Sequence, residues 1–503
     1  MVGQKSMRTR FALAIAGCQI ALGVLFVAQE SSASYFSWDK RRMPIAYRVN
    51  ADDAASWPEG VGAIIRSFLS WQRTPGAYLR FDYAGTTDKK GAYDDGQNVV
   101  AWVREGWSYG SDTIALAVLW VSRDTQRIEG FDILLNGENF VWATDGDPQA
   151  VDVQDVTTHE GGHAIGLNHS VTSTSVTMFP VMAPGETKKR FITEEERSII
   201  RLTYPSGITK VVTYALSGES GDLAAEKVVT DYLSSLGSGT IFLLTGVDSD
   251  GDGSDEIGII QEEEERLSFY LFPAVTSDVP ASEPLAYDEW SIPTGEIVDL
   301  TALDIDGDGR QEIGVLRAES DGTYALYIYN APLLSDFTED DAPSLVLRHA
   351  FGADAGDNLV AAVGLDYDGD GIDEVGAVRL TPVGQYFLDV HYVGATDNQW
   401  EDEAISIPLG SDFAFTDLDV CDVDDDEDSE LVALSKDSVG WCVSAFRLPG
   451  PSAPSEEPLV TLLGTAPIAL AAGDRPMRIT SVRIADEGSV ARPAVCVLMG
   501  ETP

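Results

Sequence analysis

Thr158-His159-Glu160-Gly161-Gly162-His163-Ala164-Ile165-Gly166-Leu167-Asn168-His169-Ser170 is the stretch on which the reading of this chain turns. Two histidines four residues apart share one face of a helix, one turn from each other, so both imidazoles can reach a single metal ion. Glu160 points about 100° round the helix from His159. That direction suits contact with a metal-bound water better than ligation. Gly166 follows His163 by three residues and can take the left-handed conformation that ends a helix. The turn brings His169 back as a third ligand. Three neutral nitrogens leave a fourth zinc position open for water, which is a catalytic arrangement and not a structural one.

The chain contains five histidines, and three of them fall within these residues; His349 and His391 lie far away. A structural zinc site would favour cysteines and would not require Glu160.

The run from His159 to His169 resembles the metzincin metalloproteases, whose pattern is H-E-x-x-H-x-x-G-x-x-H followed by a methionine turn. Val176-Thr177-Met178-Phe179-Pro180 looks like the matrixin form of that turn, and Ser170 directly after the third histidine points the same way. The resemblance implies Zn2+ on His159, His163 and His169, with Glu160 as the catalytic acid–base and Met178 as an apolar floor beneath the metal. It also implies peptide-bond hydrolysis, with Phe179 to Met182 lining the pocket for the side chain just past the cut bond. Met182 is a competing candidate for the turn, but the proline after Phe179 favours Met178. The sequence shows no cysteine switch and no spare histidines for the second, structural zinc of many animal matrixins.

Around this stretch, residues 35–206 read as one α+β domain. Pro44–Val49, Tyr78–Tyr83, Asn98–Val103, Thr113–Ser122 and Gly130–Asn136 have strand character. Val61–Gln72 reads as an amphipathic helix with Ile64, Ile65, Phe68 and Leu69 on its apolar face. The helix bearing His159 is expected to start near Val151, with Asp152 or Asp155 in its first turn. A last helix runs from Thr193, with Glu196 completing a capping box, to about Tyr204. Acidic clusters at Asp94-Asp95 and Asp145-Gly146-Asp147 fit turns better than cation sites.

Residues 1–34 read as a signal peptide: Lys5, Arg8 and Arg10 precede an apolar run from Phe11 to Ala28, and Ser31-Ser32-Ala33 offers a cut site. The expected location is secreted, with attachment at the cell surface as the alternative. Only Cys421, Cys442 and Cys496 follow the leader. Three cysteines cannot make a disulfide framework; one bridge with a free thiol and three buried thiols both fit.

Residues 207–503 carry 13 basic and 58 acidic side chains out of a chain total of 33 and 82. Such a balance argues against nucleic acid and anionic membrane as partners. The acidity is periodic. Asp248, Asp250, Asp252 and Glu256 recur as Asp304, Asp306, Asp308 and Glu312, then as Asp366, Asp368, Asp370 and Glu374, then as Asp422, Asp424, Asp426 and Glu430. The spacings are 56, 62 and 56 residues. Carboxylates at positions 1, 3, 5 and 9 supply an oxygen cage for Ca2+, about four ions in all. Each loop lies between strand-like segments and lacks an EF-hand's flanking helices. The pattern resembles the FG-GAP repeats of integrin α-like β-propellers.

In the second repeat the expected strands are Val298–Leu303, Gln311–Leu316, Thr323–Tyr329 and Ser344–His349. The last copy is short, with only Arg478–Arg483 and Ala491–Leu498. Lys210–Leu216 and Lys227–Leu233 precede the first loop without inner strands of their own. Pairing the two ends of the domain in one blade satisfies both sets of edges, which gives about five blades. The fold class expected is therefore a metzincin-type α+β domain followed by an all-β propeller. The function expected is a secreted zinc endopeptidase acting on a protein or peptide. A surface adhesion or scaffold protein, with a surface partner held by the propeller, is the alternative.

Overall fold

The computed structural model describes residues 10–16, 19–20 and 36–501, other than 218–222, 234–239, 264–265, 274–285, 291–295, 320, 332–344, 353–355, 394–399, 401–403, 411–414, 424–428, 437–439, 452–459, 472–473 and 485–491. The chain divides into two compact units. The first ends at Pro205 and takes in two short later segments, around Asn358 and at Thr381–Gly384; the second begins at Ser206.

The first unit is built on a mixed sheet. Its elements in chain order are β1 (Arg10–Ala16), β2 (Gln19–Ile20), β3 (Ser37–Trp38), β4 (Ile45–Asn50), α1 (Ala51–Ser56), α2 (Pro58–Gln72), β5 (Phe81–Thr87), β6 (Val99–Val103), β7 (Ala115–Ser122), β8 (Arg127–Asn136), β9 (Trp142–Ala143), β10 (Val151–Asp152), α3 (Val153–Ala164), β11 (Val181–Met182) and α4 (Glu194–Thr203). The sheet order is β1-β7-β8-β6-β4-β5, with β3 also on β8. Strands β5, β4, β6 and β8 run parallel, and β7 is antiparallel to β8.

Helix α2 opens on Pro58, which tolerates the first-turn position because no intrahelical N–H is needed there. It buries Ile64, Ile65, Phe68 and Trp71, each contributing roughly 1.5–3 kcal/mol. Phe68 packs between Tyr47 and Phe131, so the helix covers the sheet. Its other contacts go to α3: Ser67 Oγ donates to the Gln154 carbonyl at 3.1 Å, and Trp71 Nε1 to the Thr158 carbonyl at 2.8 Å.

Two local expectations differ from the fold. Tyr78–Arg80 lie outside the strand, which spans Phe81–Thr87. The Tyr78 N–H is drawn instead to the Tyr204 carbonyl, and Ala77 bridges Pro205. Helix α3 begins at Val153, not near Val151, because Val151 and Asp152 pair with β9 and the Asp152 carboxylate caps the Asp155 N–H at 2.9 Å. Of the apolar leader-like stretch, Arg10–Ala16 forms β1; the expected cut after Ala33 lies outside the described residues. No helix of the described residues is long and apolar enough to cross a membrane.

The second unit is a five-bladed propeller. Its strands are β12 (Ile208–Ser217), β13 (Ala224–Tyr232), β14 (Thr240–Val247), β15 (Glu256–Glu263), β16 (Arg266–Pro273), β17 (Ala286–Trp290), β18 (Glu296–Leu303), β19 (Glu312–Ala318), β20 (Tyr324–Tyr329), β21 (Leu345–Phe351), β22 (Asn358–Leu365), β23 (Glu374–Leu380), β24 (Tyr386–His391), β25 (Ile405–Gly410), β26 (Asp417–Cys421), β27 (Glu430–Lys436), β28 (Trp441–Arg447), β29 (Thr461–Pro467), β30 (Asp474–Ile484) and β31 (Arg492–Glu501). Four blades are consecutive meanders, β14 to β17, β18 to β21, β22 to β25 and β26 to β29. The remaining sheet has the order β13-β12-β31-β30, so the two ends of the domain share a blade. Residues Lys210 to Ala215 pair antiparallel with Met499 to Ala494.

Apolar residues fill the spaces between blades. One buried cluster joins Tyr214 and Leu216 to Val432, Val443 and Val495, and so ties the shared blade to its neighbour. Cys421, Cys442 and Cys496 are free and buried. Of the two arrangements open from sequence, the structure has three separate thiols.

Candidate functional site

The first site is built on α3 and the turn after it. The whole helix is buried, His159, Glu160 and His163 included. Gly166 has φ 97°, the left-handed conformation that turns the chain away from the helix. The freed helix end is held from outside: Trp38 Nε1 donates to the Ala164 carbonyl at 2.9 Å and the Tyr204 hydroxyl to the Ile165 carbonyl at 2.7 Å.

The turn brings His169 against the helix. Ring centroids are 4.9 Å apart for His159 and His163, 5.2 Å for His159 and His169, and 4.7 Å for His163 and His169. His159 Nδ1 donates to the Thr177 carbonyl at 2.7 Å and His163 Nδ1 to the Leu167 carbonyl at 2.8 Å. Those bonds fix the tautomer, so each Nε2 presents a lone pair inward. His159 Nε2 has no hydrogen-bond partner among the described residues. The Nε2 atoms of His163 and His169 stand 3.1 Å apart. The His163 lone pair there meets either an Nε2–H of His169 or, with the His169 proton on Nδ1, a cation shared by both nitrogens.

Burial drives the same result. It lowers the His159 pKa far below the ordinary range, that of His163 to about 3 and that of His169 to about 4, so all three are neutral and able to ligate. The donor set, the orphaned Nε2 and the spacing fit a zinc ion.

Met178 is buried next to the helix. A Cβ on Gly162 would lie 2.3 Å from the Met178 sulfur, so only glycine lets the thioether approach. Met178 is held by its backbone: its carbonyl accepts from Ser170 N at 2.9 Å, and its N–H donates to Glu196 Oε1 at 3.0 Å. Glu196 was legible only as a capping box, which is present at Thr193. Lys189 gave no sequence signal. Its fully buried Nζ donates to the Phe179 and Val181 carbonyls at 2.7 and 3.1 Å. Beside it, burial pushes the Asp155 carboxyl up to about 8, although that group accepts the Lys189 N–H at 2.5 Å.

The acidic repeats form a second set of sites. Asp248, Asp250 and Asp252 come together, as do Asp304, Asp306 and Asp308, and Asp366, Asp368 and Glu374. The loops share one geometry. The first aspartate accepts N–H groups from Gly251 and Gly253 in one loop, Gly307 and Gly309 in the next, and Gly369 and Gly371 in the third, all between 2.7 and 3.0 Å. Asp370 accepts from Ile372 N within its own loop.

Glu256, Glu312, Glu374 and Glu430 have a further task. Each accepts the N–H of the second loop residue, Ser249, Ile305, Tyr367 and Val423 respectively. Burial, helped by the neighbouring aspartates and opposed by the N–H groups that Ile305 and Tyr367 donate, pushes Glu312 up to about 7 and Glu374 up to about 8. Asp422 and Glu430 border the fourth loop, whose Asp424 and Asp426 lie outside the described residues.

The residue just before each glutamate was missed, although its polar recurrence was visible. Asp373 Oδ2 accepts Asp304 N–H at 2.7 Å, Gln311 Oε1 accepts Asp248 N–H at 2.9 Å, and Asp255 Oδ2 accepts Arg483 N–H at 2.6 Å. At these three junctions one blade thus clamps the backbone of the blade before it in the ring.

Residues 37–205 match the family model described as Matrixin. The chain therefore carries a matrixin domain followed by a five-bladed propeller, and the match covers about a third of its length. Comparison with curated proteins gave no match. Among solved structures, a Bacillus licheniformis rhamnogalacturonan lyase aligns at 12% identity over 47% of this chain and 50% of that one, with a TM-score of 0.26. The exotype rhamnogalacturonan lyase YesX aligns at 11% identity over 76% and 79%, with a TM-score of 0.25. This chain thus spans half the length of the first of these structures.

Proposed function

We propose that the matrixin domain is an exported zinc endopeptidase and that the propeller binds calcium. The observation that carries the first half is the convergence of three neutral imidazoles, two of which, His159 and His163, commit Nδ1 to carbonyls, leaving an orphaned Nε2 at His159. His159, His163 and His169 would hold the metal.

A bound zinc supplies a Lewis acid for the scissile carbonyl and an acidified water. Glu160, buried beside the histidines, takes a proton from water as it attacks and returns it to the leaving amine nitrogen. Thr177 and Leu167 hold the imidazoles in register through their carbonyls, and Met178 closes the site from below. Export is supported by the basic start and apolar run of residues 1–34.

For the propeller, clustered carboxylates in three loops that share one hydrogen-bond pattern support calcium, since a divalent cation removes the repulsion that the carboxylates otherwise exert. The ions would serve stability, or the binding of a substrate or surface partner.

Incubation of the purified protein with casein, with and without a chelator, tests the enzyme reading. Cleavage that stops on chelation and returns with zinc is expected. Cleavage indifferent to the chelator, or none with zinc bound, sinks it.

A further inference from the structure

The two histidines outside the first site meet in the propeller. His349 lies on β21 opposite Leu326, and His391 on β24 opposite Val375. These strands belong to neighbouring blades, β18 to β21 and β22 to β25, yet the two ring centroids are 5.6 Å apart. His349 stacks on Trp400 at 3.9 Å and stands edge-on to Phe351 at 4.8 Å. His391 stands edge-on to Phe351 at 5.2 Å. Phe351 and Val393 belong to the apolar cluster that joins the two blades, with Leu347 and Trp400 packed against it. The apolar clusters at the other seams contain no histidine.

A proton on either ring is poorly compensated. Among the described residues the charged or titratable groups that act on His349 are His391 and Arg348, and the one that acts on His391 is Asp389. Arg348 is itself a cation, and its Nε donates to the Tyr327 hydroxyl oxygen at 3.0 Å. The Asp389 carboxylate is already engaged by Arg379 Nε and by Ser406 Oγ, each at 2.5 Å. Burial, then His391 and Arg348, lowers the His349 pKa to about 4; burial lowers that of His391 against the pull of Asp389. At neutral pH both rings are therefore uncharged and pack as aromatic side chains.

The same seam is bridged at two further places. At the inner strands, Ala362 N–H donates to Asp299 Oδ2 at 3.1 Å and Gly364 N–H to Thr301 Oγ1 at 2.9 Å. At the acidic-loop end, Asp304 N–H donates to Asp373 Oδ2 and Asp373 N–H to the Asp304 carbonyl, both at 2.7 Å. We propose that this seam is an acid-released catch: protons taken up by His349 and His391 part the two blades and free the backbone of the loop that starts at Asp304. An imidazole released from the seam titrates near pH 6.5. The open state therefore binds more protons between about pH 6.5 and about pH 4, so closure weakens as pH falls through that window and is unaffected above it.

Two matched amides make the test. Gly364 N–H reaches Thr301 Oγ1 across this seam, and Gly246 N–H reaches Thr480 Oγ1 at 2.6 Å across the seam between β14 and β30, which has no histidine. Hydrogen exchange of the full chain at fixed calcium should be resolved to single amides and corrected for intrinsic rates. Between pH 7 and pH 5, Gly364 should lose protection at least about 10-fold relative to Gly246. In a chain carrying His349→Phe and His391→Phe, which keeps aromatic rings without a titrating group, the ratio should stay constant. A constant ratio in the parent, or an undiminished fall in the double variant, overturns the proposal.

A second measurement serves if the double variant does not fold. Histidine ring resonances of the parent chain, assigned with His349→Gln and His391→Gln singly, should titrate below pH 6.5 for both residues, with His349 the lower. An ordinary value near 6.5 for His349 sinks the catch, because a ring that takes its proton in the closed seam cannot drive the seam apart.

Discussion

Glu196 Oε1 accepts the backbone N–H of Met178 at 3.0 Å across 18 residues of chain, while its Oε2 accepts the N–H of Thr193 at 3.3 Å. One buried carboxylate thus caps α4 and holds the methionine under the histidines. Glu196→Ala removes the cap, worth about 1 kcal/mol, and strands a buried N–H at about 1–3 kcal/mol. Denaturant unfolding should show a loss of about 2 kcal/mol or more, with weakened zinc retention. A change within about 0.5 kcal/mol would make the link incidental.

Glu160→Gln should keep zinc and lose cleavage by about 10²–10⁴-fold, the range for a positioned acid–base group. His169→Ala should lose both metal and activity, because two ligands one helix turn apart make a weak site. Metal content and turnover measured on the same samples distinguish the two. Near-normal cleavage by the glutamine variant removes Glu160 from the mechanism.

Gly162→Ala places a methyl against the Met178 sulfur. Overpacking of this kind costs about 1–3 kcal/mol. Thermal unfolding should shift downward and zinc should exchange faster. An unchanged exchange rate would show that the thioether does not support the site.

Arg478 Nη1 lies 2.9 Å from Asp417 Oδ1 and 3.8 Å from Asp299 Oδ1 in the propeller. Burial, then the charge on Asp417, pushes the Asp299 carboxyl up to about 8. The unfolded chain sheds that proton near pH 4. Between about pH 4 and about pH 8 the folded state therefore binds more protons, so this group makes stability fall as pH rises through the window. Asp299→Asn should flatten that part of the slope in denaturant midpoints taken from pH 5 to pH 8 at fixed calcium. Parallel slopes in parent and variant would refute the assignment.

Asp373→Ala leaves the Asp304 N–H without its 2.7 Å acceptor, although Asp373 belongs to the next repeat. Calcium titration by calorimetry should show one class of sites weakened while the others keep their affinity. Uniform affinity across all loops would mean that the clamp does not shape the cation site.

The cluster of His159, His163 and His169 was legible because helical spacing and one glycine turn bring the three together within eleven residues of chain. The shared blade was legible for another local reason: Lys210–Leu216 and Lys227–Leu233 have strand character but no inner strands, and the C-terminal repeat lacks outer ones. Periodic aspartates marked the loops because each loop is one short segment. The tertiary structure alone decided the contacts whose partners are distant in sequence. No local pattern says that Lys189 should be buried beneath Phe179, that Glu196 should hold Met178, or that Asp373 should serve the loop of the repeat before it. Tyr78 has strand-like neighbours, yet its N–H goes to Tyr204, because a backbone donor follows whichever acceptor the packing brings within reach. The seat of β1 belongs to the same class. An apolar run after a basic start reads as a leader in any chain, and only the open edge of β7 gives it a partner.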